Sequence, residues 1–265
     1  MNTYICRYCR QPSDPNSPTC PLCGAPVDIR SSVSDSGWVE QPPIKDMARL
    51  QFGQSHVQIA GTRVPVTEFN LAPDDWVYFS HHVLLWTEPQ TRLTNMPMRG
   101  GWNRKMAGLP LIMVEGRGPG HIALSDNHAG EVVALPLHPG MELDVREHAF
   151  LVASHSVQYS FIRIKGLVNL LHGGNGMYID RFVTTGYPGM LLLHGNGDVL
   201  ERTLRPGEKI LVEPGGLLYK DSTVQMQAAQ MPLKTGMLRH GMYLAEMTGP
   251  GRVGIQSMYV HHHAD

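Results

Sequence analysis

Leu204–Gln225 reads LRPGEKILVEPGGLLYKDSTVQ, and the chain has already spelled this stretch once. Shifted back by 67 residues, Leu137–Gln158 reads LHPGMELDVREHAFLVASHSVQ and aligns without a gap. Pro206 falls on Pro139, Gly207 on Gly140, Ile210 on Leu143, Val212 on Val145, Leu218 on Leu151, and Val224-Gln225 on Val157-Gln158. A further shift of 66 residues reaches Leu71–Arg92, LAPDDWVYFSHHVLLWTEPQTR, with Pro73, Val77, Phe79 and Leu85 in register. A second motif keeps the same frame: GPGHIALS (Gly118–Ser125), GYPGMLLL (Gly186–Leu193) and TGPGRVGIQS (Thr248–Ser257). A unit of roughly 60–70 residues present three times is an architecture, because one such unit cannot bury its apolar face alone.

Within a unit the elements read as strands. KILV, LLYKDSTVQM, GMYLAEMTG and RVGIQS alternate apolar and polar residues between Gly and Pro boundaries. Pro-Gly suits the central positions of a type II turn, where glycine supplies positive φ. GNGD at Gly195–Asp198 reads as a hairpin turn. No amphipathic helix is expected. The fold class is therefore all-β: three tandem antiparallel repeats, at about 50–125, 126–194 and 195–260, around a pseudo-threefold axis with one shared core.

The triplicated PG-x-x-(I/L)-x-V…LL pattern, the G(M)Y(L/I) strands and the terminal TGPGRVGIQS resemble the altered inheritance of mitochondria twenty-four family. The resemblance covers Leu50–Val260. It implies three tandem subdomains similar to the tryptophan RNA-binding attenuation protein, each a short double-stranded β-helix. A common family pattern, GEG before the penultimate strand, is replaced by GNGMY at Gly174–Tyr178 and RHGMY at Arg239–Tyr243. The mitochondrial members are linked to inner-membrane organisation, and the resemblance brings no catalytic residues.

All four cysteines precede this domain, as Cys6-x2-Cys9 and Cys20-x2-Cys23. Two such knuckles supply four thiolates, the donor set of a closed tetrahedral zinc site. Residues 1–27 are expected to form a zinc ribbon holding one structural Zn²⁺ per chain. A disulfide framework needs an oxidising compartment, and the N-terminal MNTYICRYCR has no signal-peptide h-region. The cytoplasm is the expected location. Residues 28–49 read as a polar, Ser- and Pro-rich linker with one aromatic residue, Trp38, and residues 261–265 as a His-rich tail.

The chain has 265 residues, 42% apolar and 17% charged, with 22 Lys plus Arg against 23 Asp plus Glu. That balance provides no general attraction for nucleic acid or anionic lipid. No apolar run is long enough to cross a membrane as a helix. Arg202, Arg205, Lys209 and Lys220 are interleaved with Glu201, Glu208, Glu213 and Asp221, which reads as a solvated mixed-charge face.

The fourteen histidines call for a test of cupin-type metal catalysis. His81-His82 followed by Glu88 is the nearest fragment, but adjacent strand residues face opposite sides. His82 and His148 occupy equivalent repeat positions where the third copy has Gly215, so a threefold His site is incomplete. HGGNG at His172–Gly176 is Gly-rich with no helix after it to present a phosphate site.

The leading functional expectation is a non-enzymatic scaffold, a β platform whose tethered zinc ribbon docks a protein partner, with self-association through exposed β edges. Nucleic-acid binding through the ribbon and a cupin-like metalloenzyme are the two alternatives.

Overall fold

The computed structural model describes residues 4–5, 12–13, 17, 20–21, 39–40, 49–61, 63–96, 113–146, 148–164, 177–235 and 238–258. The linker residue Trp38, the stretch His172–Gly176 and the tail 261–265 lie outside these residues.

Short strands come first: β1 (Tyr4–Ile5), β2 (Pro12–Ser13), β3 (Val39–Glu40), β4 (Arg49–Phe52) and β5 (Ser55–Ala60). Repeat I then supplies β6 (Val66–Leu71), β7 (Trp76–Ser80), β8 (Leu84–Thr87), β9 (Arg92–Asn95), β10 (Met113–Arg117) and β11 (Gly120–Leu124). Repeat II supplies β12 (Gly130–Leu137), β13 (Glu142–Arg146), β14 (Phe150–Ser154), β15 (Val157–Ile164), β16 (Met177–Thr184) and β17 (Gly189–Asn196). Repeat III supplies β18 (Val199–Leu204), β19 (Lys209–Val212), β20 (Leu217–Asp221), β21 (Gln225–Thr235), β22 (Leu238–Thr248) and β23 (Gly251–Gln256). The only helical turns among the described residues are two 3₁₀ segments, His81–Val83 and Pro214–Gly216, at equivalent places in repeats I and III.

Every repeat is wired alike. The first strand pairs with the sixth, the sixth with the third, the second with the fifth, and the fifth with the fourth, all antiparallel. The turn from first to second strand also repeats. Pro139-Gly140 and Pro206-Gly207 carry glycine φ of 85° and 76°. The hydrogen bonds Met141 N to His138 O and Glu208 N to Arg205 O close these turns, as a type II turn requires. The fifth-to-sixth turn is built differently. Gly118-Pro119 and Gly249-Pro250 are cis, and glycine stands before proline because a Cβ there would lie 2.1 Å from Ala72 O and 2.3 Å from Arg205 O.

Repeats are joined by pairing the second strand of one with the third strand of the next. β7 pairs with β14 through Val77–Ser154, Tyr78–Ala153 and Phe79–Val152. β13 pairs with β20 through Leu143–Asp221, Asp144–Lys220 and Val145–Tyr219, the same register one repeat later. The result is a six-stranded sheet β12-β17-β14-β7-β10-β9 and a seven-stranded sheet β15-β16-β13-β20-β23-β18-β3. The chain ends in a five-stranded sheet β4-β5-β6-β11-β8 and a three-stranded sheet β19-β22-β21.

The expectation of one shared core is corrected: there are three, one per repeat. The reason is that the junction sheets bury both faces. Along β7, Val77 and Phe79 point into the core of repeat I while Tyr78 points into that of repeat II. Strands covered on both sides lose polar alternation, which explains the wholly buried FLVAS of β14 and the LLL of β17. The hairpin expected at Gly195–Asp198 is likewise corrected. β17 is already paired on both edges, by β12 and β14, so β18 cannot fold back on it and joins the next sheet.

Candidate functional site

Of the four expected zinc ligands, Cys20 is described and buried, while Cys6, Cys9 and Cys23 lie outside the described residues. Among the described residues no three of His, Cys, Asp and Glu are placed to hold one metal ion. His81 and His82 are not on a strand but in the 3₁₀ turn that follows β7, with ring centroids 5.7 Å apart. Glu88 is turned away from them: it accepts from the His121 backbone N–H at 2.9 Å and lies 3.1 Å from His121 Nδ1.

Where repeats I and II meet, the fold gathers His82, His148, His128, His194 and Asp126 within electrostatic reach of one another. His128 Nδ1 lies 2.6 Å from Asp126 Oδ1, and Ser80 Oγ lies 2.8 Å from His82 Nδ1. His194, on β17, is 3% exposed, and neither ring nitrogen has a hydrogen-bond partner among the described residues. Burial lowers its pKa below the ordinary imidazole value, the Asp126 charge opposes that and His128 adds to it, so the ring is held neutral. Gly130 accommodates this packing, since a Cβ there would sit 1.9 Å from Gly195 O and 2.9 Å from His194 Nε2.

The sign of the linkage follows. The unfolded chain takes up a proton at His194 as pH falls through the ordinary value of 6.5, while the folded chain does so only at lower pH, so stability drops on acidification. Denaturant titrations between about pH 7.5 and about pH 5.5 are expected to lose at most about 1.4 kcal/mol in all through this group. A His194→Phe chain is expected to lack that part of the slope.

At the junction of repeats II and III the charged residues are internal. Lys220, read from sequence as part of a solvated face, is 4% exposed. Its Nζ donates to Asp144 Oδ2 at 2.7 Å and to Val224 O at 2.9 Å. Arg181 Nε donates to Asp144 Oδ1 at 2.7 Å. Burial pushes the Asp144 carboxyl up, but the Arg181 hydrogen bonds and the Lys220 charge outweigh it and hold the group below its ordinary range. The neighbouring basic residues are also matched with acids: Arg202 with Glu208, Lys209 with Glu246, and Arg252 with Asp221. The Tyr219 hydroxyl donates to Glu201. Three of the four basic residues read together in the sequence, Arg202, Lys209 and Lys220, are thus paired with acids.

What the surface offers instead is apolar. Leu85 and Trp86 on β8 are 57% and 42% exposed, and Leu211 on β19 is 45% exposed. Among the described residues, β8 has β11 on one side and no strand on the other, and β19 has β22 on one side and no strand on the other. A bare edge carrying large apolar side chains is a ready template for another strand. Sequence reading expected exposed edges but did not locate them, because Leu85 and Trp86 match residues that are buried in the other copies.

No helix among the described residues is long and apolar enough to cross a membrane. Among curated proteins none matches the chain. The crystal structure of a protein from Streptococcus pyogenes superposes with a TM-score of 0.59 at 19% identity, covering 77% of this chain and 94% of that one, which is a likeness of fold. A family model described as mitochondrial biogenesis AIM24 matches residues 57–258, the three repeats almost from end to end. The repeat order read in the sequence, the wiring of the strands and this match agree: the chain belongs to the mitochondrial biogenesis AIM24 family.

Proposed function

We propose that the protein is a non-enzymatic binding platform, a triplicated β body to which a zinc ribbon on a tether brings a protein partner. The observation that supports this reading best is the contrast between junctions and edges. Charged groups at the II–III junction are paired with one another inside the fold, while Leu85, Trp86 and Leu211 stand uncovered on sheet edges. Cys6, Cys9, Cys20 and Cys23 would hold the zinc, and four thiolates leave no coordination position for a substrate. The proposed compartment is the reducing cytoplasm, where such thiolates persist.

The test combines metal analysis with native pull-down. The full chain is expected to carry one zinc, and Cys20→Ser to lose both the zinc and the partner captured by the full chain. A chain purified without zinc, or a partner retained equally by Cys20→Ser, removes the ribbon from the proposal.

A further inference from the structure

We propose that a second copy of this chain completes repeat III, its β8 edge pairing with the β19 edge of the first. The inference concerns the platform itself and does not rest on a recruited partner.

The junction between repeats is made twice within the chain, by β7 with β14 and by β13 with β20, in identical register. The remaining second strand is β19 and the remaining third strand is β8, and among the described residues neither is paired on its outer edge. The pairing registers of the three repeats correspond residue for residue here. β8, β14 and β20 each face their own sixth strand with the same register shift, Leu84 corresponding to Phe150 and Leu217, and Trp86 to Val152 and Tyr219. Carrying the register over sets Trp86 opposite Val212, Thr87 opposite Leu211 and Glu88 opposite Ile210.

Packing supplies the second, independent argument. Each junction strand completes the core of the repeat before it. Leu151 and Val152 of repeat II lie in the core of repeat I, and Leu218 and Tyr219 of repeat III lie in the core of repeat II. The corresponding donors in repeat I are Leu85 and Trp86, the exposed pair on β8. Among the described residues, the core that receives no such donor strand is that of repeat III. Its bordering strand β19 keeps Ile210 only partly buried and Leu211 exposed.

The chain thus carries one unused donor and one unfilled acceptor of the same joint, and the occupant matching both in register and side-chain chemistry is another copy. Donor and acceptor are different surfaces, so copies join head to tail.

The full chain is expected to run as an oligomer by light scattering at roughly 100 μM. Leu211→Lys, a change at an exposed edge position, is expected to weaken assembly about tenfold or more with thermal unfolding of the protomer unchanged. Directly opposed strand residues are close enough for a disulfide. A mixture of differently tagged Thr87→Cys and Leu211→Cys chains is therefore expected to cross-link between chains on mild oxidation, where each alone and the unmodified chain do not. A monomer at that concentration overturns the proposal. So does an oligomer indifferent to Leu211→Lys, which uses another surface, or a Thr87→Cys/Leu211→Cys chain that links only within itself, which closes its own ring.

Discussion

Asp144→Asn is expected to destabilise the protein by about 3–5 kcal/mol, read as a shift in denaturant midpoint. The substitution keeps the shape and removes the charge. It leaves the Lys220 ammonium buried without a counter-charge, facing only the Val224 carbonyl at 2.9 Å and the Asp221 carbonyl at 3.5 Å among its other acceptors, and it replaces one of the two oxygens that Arg181 and Lys220 share by an amide that cannot accept. Breaking a buried pair on one side costs far more than the pair contributes, because the remaining ion has been stripped of water without compensation.

Asp144→Leu combined with Lys220→Met is expected to recover most of the loss. The corresponding opposed residues at the other junction are Tyr78 and Ala153, so the joint itself needs no ions. A double variant as unstable as Asp144→Asn counts against this account. The contribution of Asp144 is present above the ordinary aspartate value of 3.8 and is lost as pH falls through its lowered folded value.

Phe182→Ala is expected to cost a similar amount, about 3–5 kcal/mol, by opening a cavity. Phe182 is fully buried on β16, stacks on Phe150 with centroids 4.9 Å apart, and meets Tyr159 at 5.5 Å. Its counterparts, read from the residues opposite Val77 and Ile210, are Gly116 and Met247. Repeat I has no room for more, since a Cβ on Gly116 would already lie 3.1 Å from Ile122 Cδ1 and 3.4 Å from Phe79. Repeat III accepts a flexible methionine. Phe182→Met, which imports the repeat III solution into repeat II, is therefore expected to cost less than about 1.5 kcal/mol. Equal losses for Ala and Met would mean that ring stacking, and not volume, is what the site requires.

The repeats, their order and most strands were legible because their signals are local. Pro-Gly at 139–140 and 206–207 marks turns whose glycine φ is positive, and apolar alternation marks the strands between them. What was not legible is which partner each side chain meets. Leu151 and Val152 look like core residues of their own repeat and serve the one before. Lys220 sits beside Asp221 and looks solvated, yet it is buried against Asp144, which lies one repeat away. One signal was present: an acid set between two apolar residues, Leu143-Asp144-Val145 of β13, and a base directly after Leu217-Leu218-Tyr219 of β20. Pairing those two requires the register, which no local pattern contains. The histidines that converge between repeats I and II are spread from His82 to His194, a separation that hides the cluster from any spacing rule.

The donated cores have a further consequence during translation. The core of repeat I uses Val132, Leu151, Val152 and Leu192, so a nascent chain that has delivered only its first repeat holds an apolar interior without a lid. Each segment leaving the ribosome seals the one already waiting outside it. Folding therefore lags synthesis by about one repeat, each interior waiting for the strand that the next segment brings.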